Sequence, residues 1–317
     1  MSRTLRFITV TLAACSSALA CSSTVPPASQ PAAAPVATVA PAPAAPAAPD
    51  DARGARLYDN WRAEKELGSA FTPDSAKTPE VDGSGGPDGN GTLRDAAGKT
   101  LANTGHDYRL KNLFGWDLRG TEGVYGPAYQ KKPYVLAHNL LTDTRPASDL
   151  REWLAKGSET VPAFSAVLDE RDLDDLVAFI DKTRKGALAG PAALFRLDAA
   201  APKGFVLNEG GDATRGKERF AKSCANCHGA DGRKLTIDET ESVGSLSRSS
   251  GYEIWFKILH GQPGTAMDRQ IPETDAAAQA SAILDLLAAL CDRGAFPALG
   301  SAEDVKDGDV RCGAYLR

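Results

Sequence analysis

Cys224-Ala225-Asn226-Cys227-His228 sets two thiols three positions apart and follows the second with an imidazole. Thiols at this spacing can add to the two vinyl groups of one haem, and the adjacent imidazole then lies beneath the iron. With six Cys and four His in the chain, chance places such a run in only about one shuffled sequence in a thousand, so the pattern is specific. Two other uses of a CxxC pair compete with this one. A redox dithiol leaves His228 without a role and lacks a βαβ setting. A zinc site needs two further ligands at matching spacing, and the sequence offers no convincing pair.

An iron with one imidazole needs a second ligand or keeps an open face. Met267 is one of two methionines, the other being the initiator. It closes Gly261-Gln262-Pro263-Gly264-Thr265-Ala266-Met267, a stiff segment predicted to follow a helix. Core packing is the ordinary fate of methionine, but here the loop context and the lack of any competing Met favour ligation. His260, at the predicted helix end, is the rival ligand; it would have to rotate inward, and a surface or capping role suits it better.

Residues 212–292, with Cys224-Ala225-Asn226-Cys227-His228-Gly229, the Met267 loop and a helix on either side, resemble a class I cytochrome c domain. The resemblance implies one covalent haem c whose iron is held by His228 and Met267. It also implies a last helix that packs across the first. Filled axial positions favour electron transfer over oxygen chemistry.

The elements that must position these groups recur along the chain. Leu150, Trp153 and Leu154 share one helical face, and Leu173, Leu176, Val177 and Ile180 share another. Tyr252, Trp255, Phe256 and Leu259, then Ile283, Leu286, Leu287 and Leu290, repeat the order. Arg53-Gly54-Ala55-Arg56-Leu57-Tyr58 likewise resembles Arg215-Gly216-Lys217-Glu218-Arg219-Phe220. The expected fold is therefore mainly α, with two cytochrome c-like helical domains in tandem over 51–185 and 212–292. The connector 186–211 carries short alternations at Phe195-Arg196-Leu197 and Phe205-Val206-Leu207, which predict strands or extended arms.

The first of these domains resembles cytochromes with a CxxCHGWD motif, but its haem-bonding positions are apolar. Leu110 and Leu113 stand at the thiol positions, Phe114 at the imidazole and Val161 at the distal Met, while Gly115-Trp116-Asp117 is kept. An emptied haem pocket is a costly cavity unless side chains fill it, so a haem-free domain is expected. His106 and His138 are the histidines that could hold a non-covalent haem there. An insertion over 62–107 follows its first helix. Within it Asp82–Gly91 has the composition of a calcium loop without the spacing of one, and reads as a surface loop.

Upstream, Arg3 and Arg6 precede the apolar run Phe7–Ala14, an export leader too short to span a bilayer. Leu12-Ala13-Ala14-Cys15 resembles a bacterial lipobox, with Cys21 as the rival lipidation or cleavage site. Within the linker 21–50, Val25–Pro49 is dominated by its eight prolines and eleven alanines, an extended spacer. Downstream, Cys291 and Cys312 are left over, and in an exported chain they are expected to form a disulfide pinning the tail 293–317.

Over 317 residues the chain is 42% hydrophobic with a net charge of −5. It has enough apolar material for packed cores and no basic excess for nucleic acid. The expected function is an exported electron carrier, periplasmic or lipid-anchored and possibly on the outer membrane, that meets redox partner proteins and touches membrane only through its anchor. Two alternatives remain: a haem-dependent peroxidase or oxidase in which Met267 dissociates, and a redox-complex subunit whose haem-free domain docks partners.

Overall fold

The computed structural model describes residues 47–65, 109–132, 135–237, 240–300 and 304–317. The leader with Cys15 and Cys21, the spacer as far as residue 46, nearly all of the insertion including Asp82–Gly91, and His106 lie outside the described residues.

The described chain is mainly helical. The first half comprises α1 (Asp51–Glu64), α2 (Leu110–Phe114), α3 (Ala147–Lys156) and α4 (Glu170–Arg184). The second comprises α5 (Ala213–Ser223), α6 (Ala225–His228), α7 (Val243–His260) and α8 (Ala276–Leu290). Between them β1 (Phe195–Leu197) and β2 (Phe205–Leu207) pair antiparallel, Phe195 opposite Leu207. Hydrogen-bonding side chains open the helices: Asp50 caps α1, Asp212 caps α5, and Asp169/Asp172 and Ser242/Ser245 form capping boxes on α4 and α7. No helix among the described residues is long and apolar enough to cross a membrane.

The halves are built on one plan. In each, the first helix crosses the last at a glycine whose added Cβ would lie 1.9 Å from a backbone oxygen: Gly54 against Asp175, Gly216 against Asp285. Only a hydrogen fits at that crossing. The same aspartates lock it. Asp175 accepts from the N–H of Asp50 at 2.7 Å and from Arg53 at 2.8 Å, and Asp285 accepts from the N–H of Asp212 at 2.7 Å and from Arg215 at 2.8 Å.

The two halves also share a core. Phe256 of α7 packs against Tyr58 (6.0 Å between centroids), Trp116 (5.2 Å) and Phe179 (5.7 Å), all from the first half. Beside them the buried Asp59 carboxylate pairs with Lys111 at 2.5 Å and with Lys257. Burial would raise its pKa, but the two ammonium groups hold it down to about 2. Residues 47–317 therefore form one compact unit. The hairpin covers α7, with Phe195 stacked on Tyr252 at 4.3 Å.

Cys291 and Cys312 are bonded, and the tail is drawn back onto the end of α8, where the N–H of Arg293 donates to the carbonyl of Arg317 at 3.0 Å. Arg248, fully buried in α7, holds the same corner through Asp304 and the carbonyls of Leu290 and Phe296.

Candidate functional site

α5 stops at Cys224, whose N–H still donates to Phe220, and a second short helix, α6, carries Cys227 and His228 before Gly229 ends it. The N–H groups of Cys227 and His228 both reach back to the carbonyl of Cys224. This single tight turn brings the two cysteines and the imidazole together. Both thiols are free, that of Cys224 half-buried and that of Cys227 exposed. Burial pushes the Cys224 thiol up to about 11, with Arg219 opposing the rise. That is the reverse of a redox-active CxxC, which depends on a lowered thiol. Among the described residues no group of three or more His, Cys, Asp or Glu converges as a zinc site requires.

His228 is poised differently from an ordinary surface histidine. Burial lowers its pKa, so the ring is held neutral, and its buried Nδ1 has no hydrogen-bond partner among the described residues. Neutral imidazole keeps a lone pair for a metal. The following loop folds back over α6: the N–H of Lys234 donates to the carbonyl of His228 at 2.8 Å and its Nζ to that of Asn226 at 2.9 Å. The next residue, Leu235, is 50% exposed, and with Val310 is one of two large apolar side chains left in solvent among the described residues. Two free thiols, a neutral imidazole with an orphaned nitrogen and an uncovered leucine suit an apolar, metal-bearing group such as haem.

Met267 lies in the loop after α7, half-buried. The loop is closed by its own backbone, the N–H of Gln262 donating to the Met267 carbonyl at 2.8 Å and that of Met267 to Thr265 Oγ1 at 3.1 Å. Arg219 of α5 pairs with Glu273 at 2.7 Å, which ties the stretch beyond Met267 to the helix leading into Cys224. The first half braces the loop from the other side. Arg56 donates to the carbonyl of His260 at 3.2 Å, and Arg269 bridges the Leu259 carbonyl and Asp51.

His260 is not a surface or capping residue. It is 1% exposed, wedged between Phe179 and Phe256 at 5.1 and 4.8 Å. Burial first, and then the charges of Arg269 and Arg56, depress its pKa to about 3. Its imidazole therefore belongs to the core shared by the halves.

The matching region of the first half is sealed. Gly115 ends α2 at φ 79°, ψ 159°, and Gly229 ends α6 at φ 80°, ψ 161°. Both lie in the positive-φ region where a Cβ is strained. Leu110, Leu113 and Phe114 are buried, as is Val161, whose carbonyl accepts from Ser158 at 2.9 Å as that of Met267 accepts from Gln262. Phe114 packs on Trp153 and His138, each at 6.2 Å. His138 Nε2 is engaged by Asp143 at 2.9 Å and Arg145 at 3.2 Å.

The sequence indicated the cysteines, His228 and Met267. It gave no hint of the Arg219–Glu273 tie or of the exposure of Leu235, since both depend on where separate segments meet. No protein-family model, curated protein or solved structure matches the chain.

Proposed function

We propose that the chain is an exported c-type cytochrome that transfers single electrons through one covalently held haem, attached at Cys224 and Cys227 and ligated by His228 and Met267. The observation that carries this reading is the contrast between two helices of one design. Cys224 and α6 offer free thiols and a neutral imidazole with an orphaned buried nitrogen, beside an uncovered leucine in the loop that follows, whereas α2 closes the same positions with Leu110, Leu113 and Phe114. On this reading residues 51–185 and 212–292 are cytochrome c-like domains in tandem, the first without haem.

When bound, the haem supplies an iron centre that accepts and releases one electron. The polypeptide fixes its surroundings. The turn from Cys224 to His228 holds the attachment groups together, and Arg56, Arg269 and Glu273 tie down the segments on either side of the Met267 loop. A ligand set that stays put needs little reorganisation when charge changes. The leader and the Pro/Ala spacer support export and tethering by Cys15 or Cys21, and the natural partners are redox proteins.

Absorption spectra of the matured protein in both oxidation states test the proposal. The expected result is a low-spin haem with a methionine–iron charge-transfer band in the ferric form, a band lost in Met267→Ala. A colourless protein after competent bacterial maturation overturns the cytochrome reading. A band that survives Met267→Ala overturns the ligand assignment.

A further inference from the structure

α7 is kinked at Ser250, where the backbone leaves helical geometry (φ −147°, ψ 48°). Beside the kink lies a cavity of about 250 Å³, remote in sequence from α6 and bounded by the loop after α2, the turn before β2 and α7. A site of roughly 150 Å³ already accommodates benzene, so a single ring with one substituent fits. Its walls are aromatic, with Trp116, Tyr125, Phe205 and Tyr252 among them.

Its polar groups are mostly donors. The Tyr252 hydroxyl is buried and has no hydrogen-bond partner among the described residues, an arrangement costly to maintain unless something fills it. Lys203 Nζ donates to Ser250 Oγ at 2.5 Å and has two further donors in hand. Lys132 and Gln130 complete the rim, and Gln130 joins its two sides by donating to the Lys203 carbonyl at 3.2 Å. Glu253 is the opposing charge on the wall, where Lys132 and Lys203 outnumber it, and the buried Asp117 carboxylate lies near enough to act on the Tyr252 hydroxyl.

Strain gathers here as well. The non-glycine residues at positive φ among the described residues are Leu118, Lys131 and Lys203, and all belong to or adjoin the segments forming this wall. Such conformations persist where the surroundings over-determine them, commonly at binding sites.

We propose that this cleft binds a small aromatic carboxylate, its ring held among Trp116, Phe205 and Tyr252 and its carboxylate by Lys203, Lys132 and the Tyr252 hydroxyl. The ligand is anionic because the donors and the ammonium excess select for acceptor oxygens. It is planar because the walls are aromatic rings. The site uses none of the groups on α6.

Calorimetric titration of the full-length protein with sodium benzoate tests this, with benzyl alcohol and benzylammonium as neutral and cationic comparators. Benzoate is expected to bind saturably at one site per chain, and the comparators to bind at least about tenfold more weakly, since a hydrogen bond to a charged group accounts for a change of that size. Lys203→Gln should weaken benzoate about tenfold or more, and Tyr252→Phe and Lys132→Gln severalfold, with far-ultraviolet circular dichroism unchanged. The proposal is overturned by absence of saturable benzoate binding, by equal binding of benzylammonium, or by folded variants that bind benzoate as the parent does.

Discussion

Phe114 and His228 occupy one position in two copies of a turn: each is the last residue of a short helix closed by a glycine of nearly identical backbone angles, φ 79° and 80°. One side chain is sealed in a core and the other presents a neutral ring with an unpartnered nitrogen. The difference between the halves is thus one of side chains on a shared backbone plan.

Phe114 should behave as a core residue. Phe114→Ala leaves a cavity among Trp153, His138 and the α2 leucines, and is expected to destabilise the protein by about 3–5 kcal/mol. Denaturant unfolding measures this, and the visible spectrum should not change. A loss under about 1 kcal/mol would mean that the site is open, as a bound group in the first half requires.

The Cys291–Cys312 bond closes a loop of sequence separation 21. Chain-entropy reasoning gives such a cross-link about 3 kcal/mol of stability. Cys312→Ser should lower the unfolding midpoint accordingly and leave Cys291 open to alkylation once the chain is unfolded, since both positions are buried in the folded protein. In the matured parent protein, alkylation in denaturant without reductant should label neither cysteine, and labelling of both would show the pair to be reduced.

His260 makes stability depend on pH. Its folded pKa of about 3 lies below the ordinary 6.5, so the unfolded chain binds the extra proton first. Stability from this group is complete above about 6.5 and is lost as pH falls toward about 3, by about 1.4 kcal/mol per pH unit. Asp117 acts oppositely. Burial lifts its carboxyl to about 6, so its contribution weakens as pH rises from 3.8. The difference between the parent and His260→Leu isolates the histidine. The variant should lack its share of the acid-side slope, and parallel curves would contradict the buried, neutral assignment.

The sequence made the helices legible because their apolar faces recur at helical spacing, and the cysteine run because its spacing is chemically specific. The short alternations at Phe195 and Phe205 do pair as a hairpin. His260 departs from the sequence expectation for a physical reason. α7 is buried on nearly every side, against α8, the hairpin and the first half, so periodicity along it cannot tell which neighbour a residue faces. The Gly54–Asp175 and Gly216–Asp285 crossings are not legible in the sequence because each depends on a distant carbonyl meeting a hydrogen-sized gap. The tandem appearance at the sequence level also gave no sign that Asp59, Lys111 and Lys257 join the halves in one core.

The most direct test of the account is haem stoichiometry in the matured protein, read as haem absorbance per polypeptide together with the mass of the peptide containing Cys224 and Cys227. The account predicts one haem per chain, covalently borne by that peptide. A chain with no haem, with two, or with its haem on any other peptide would contradict it.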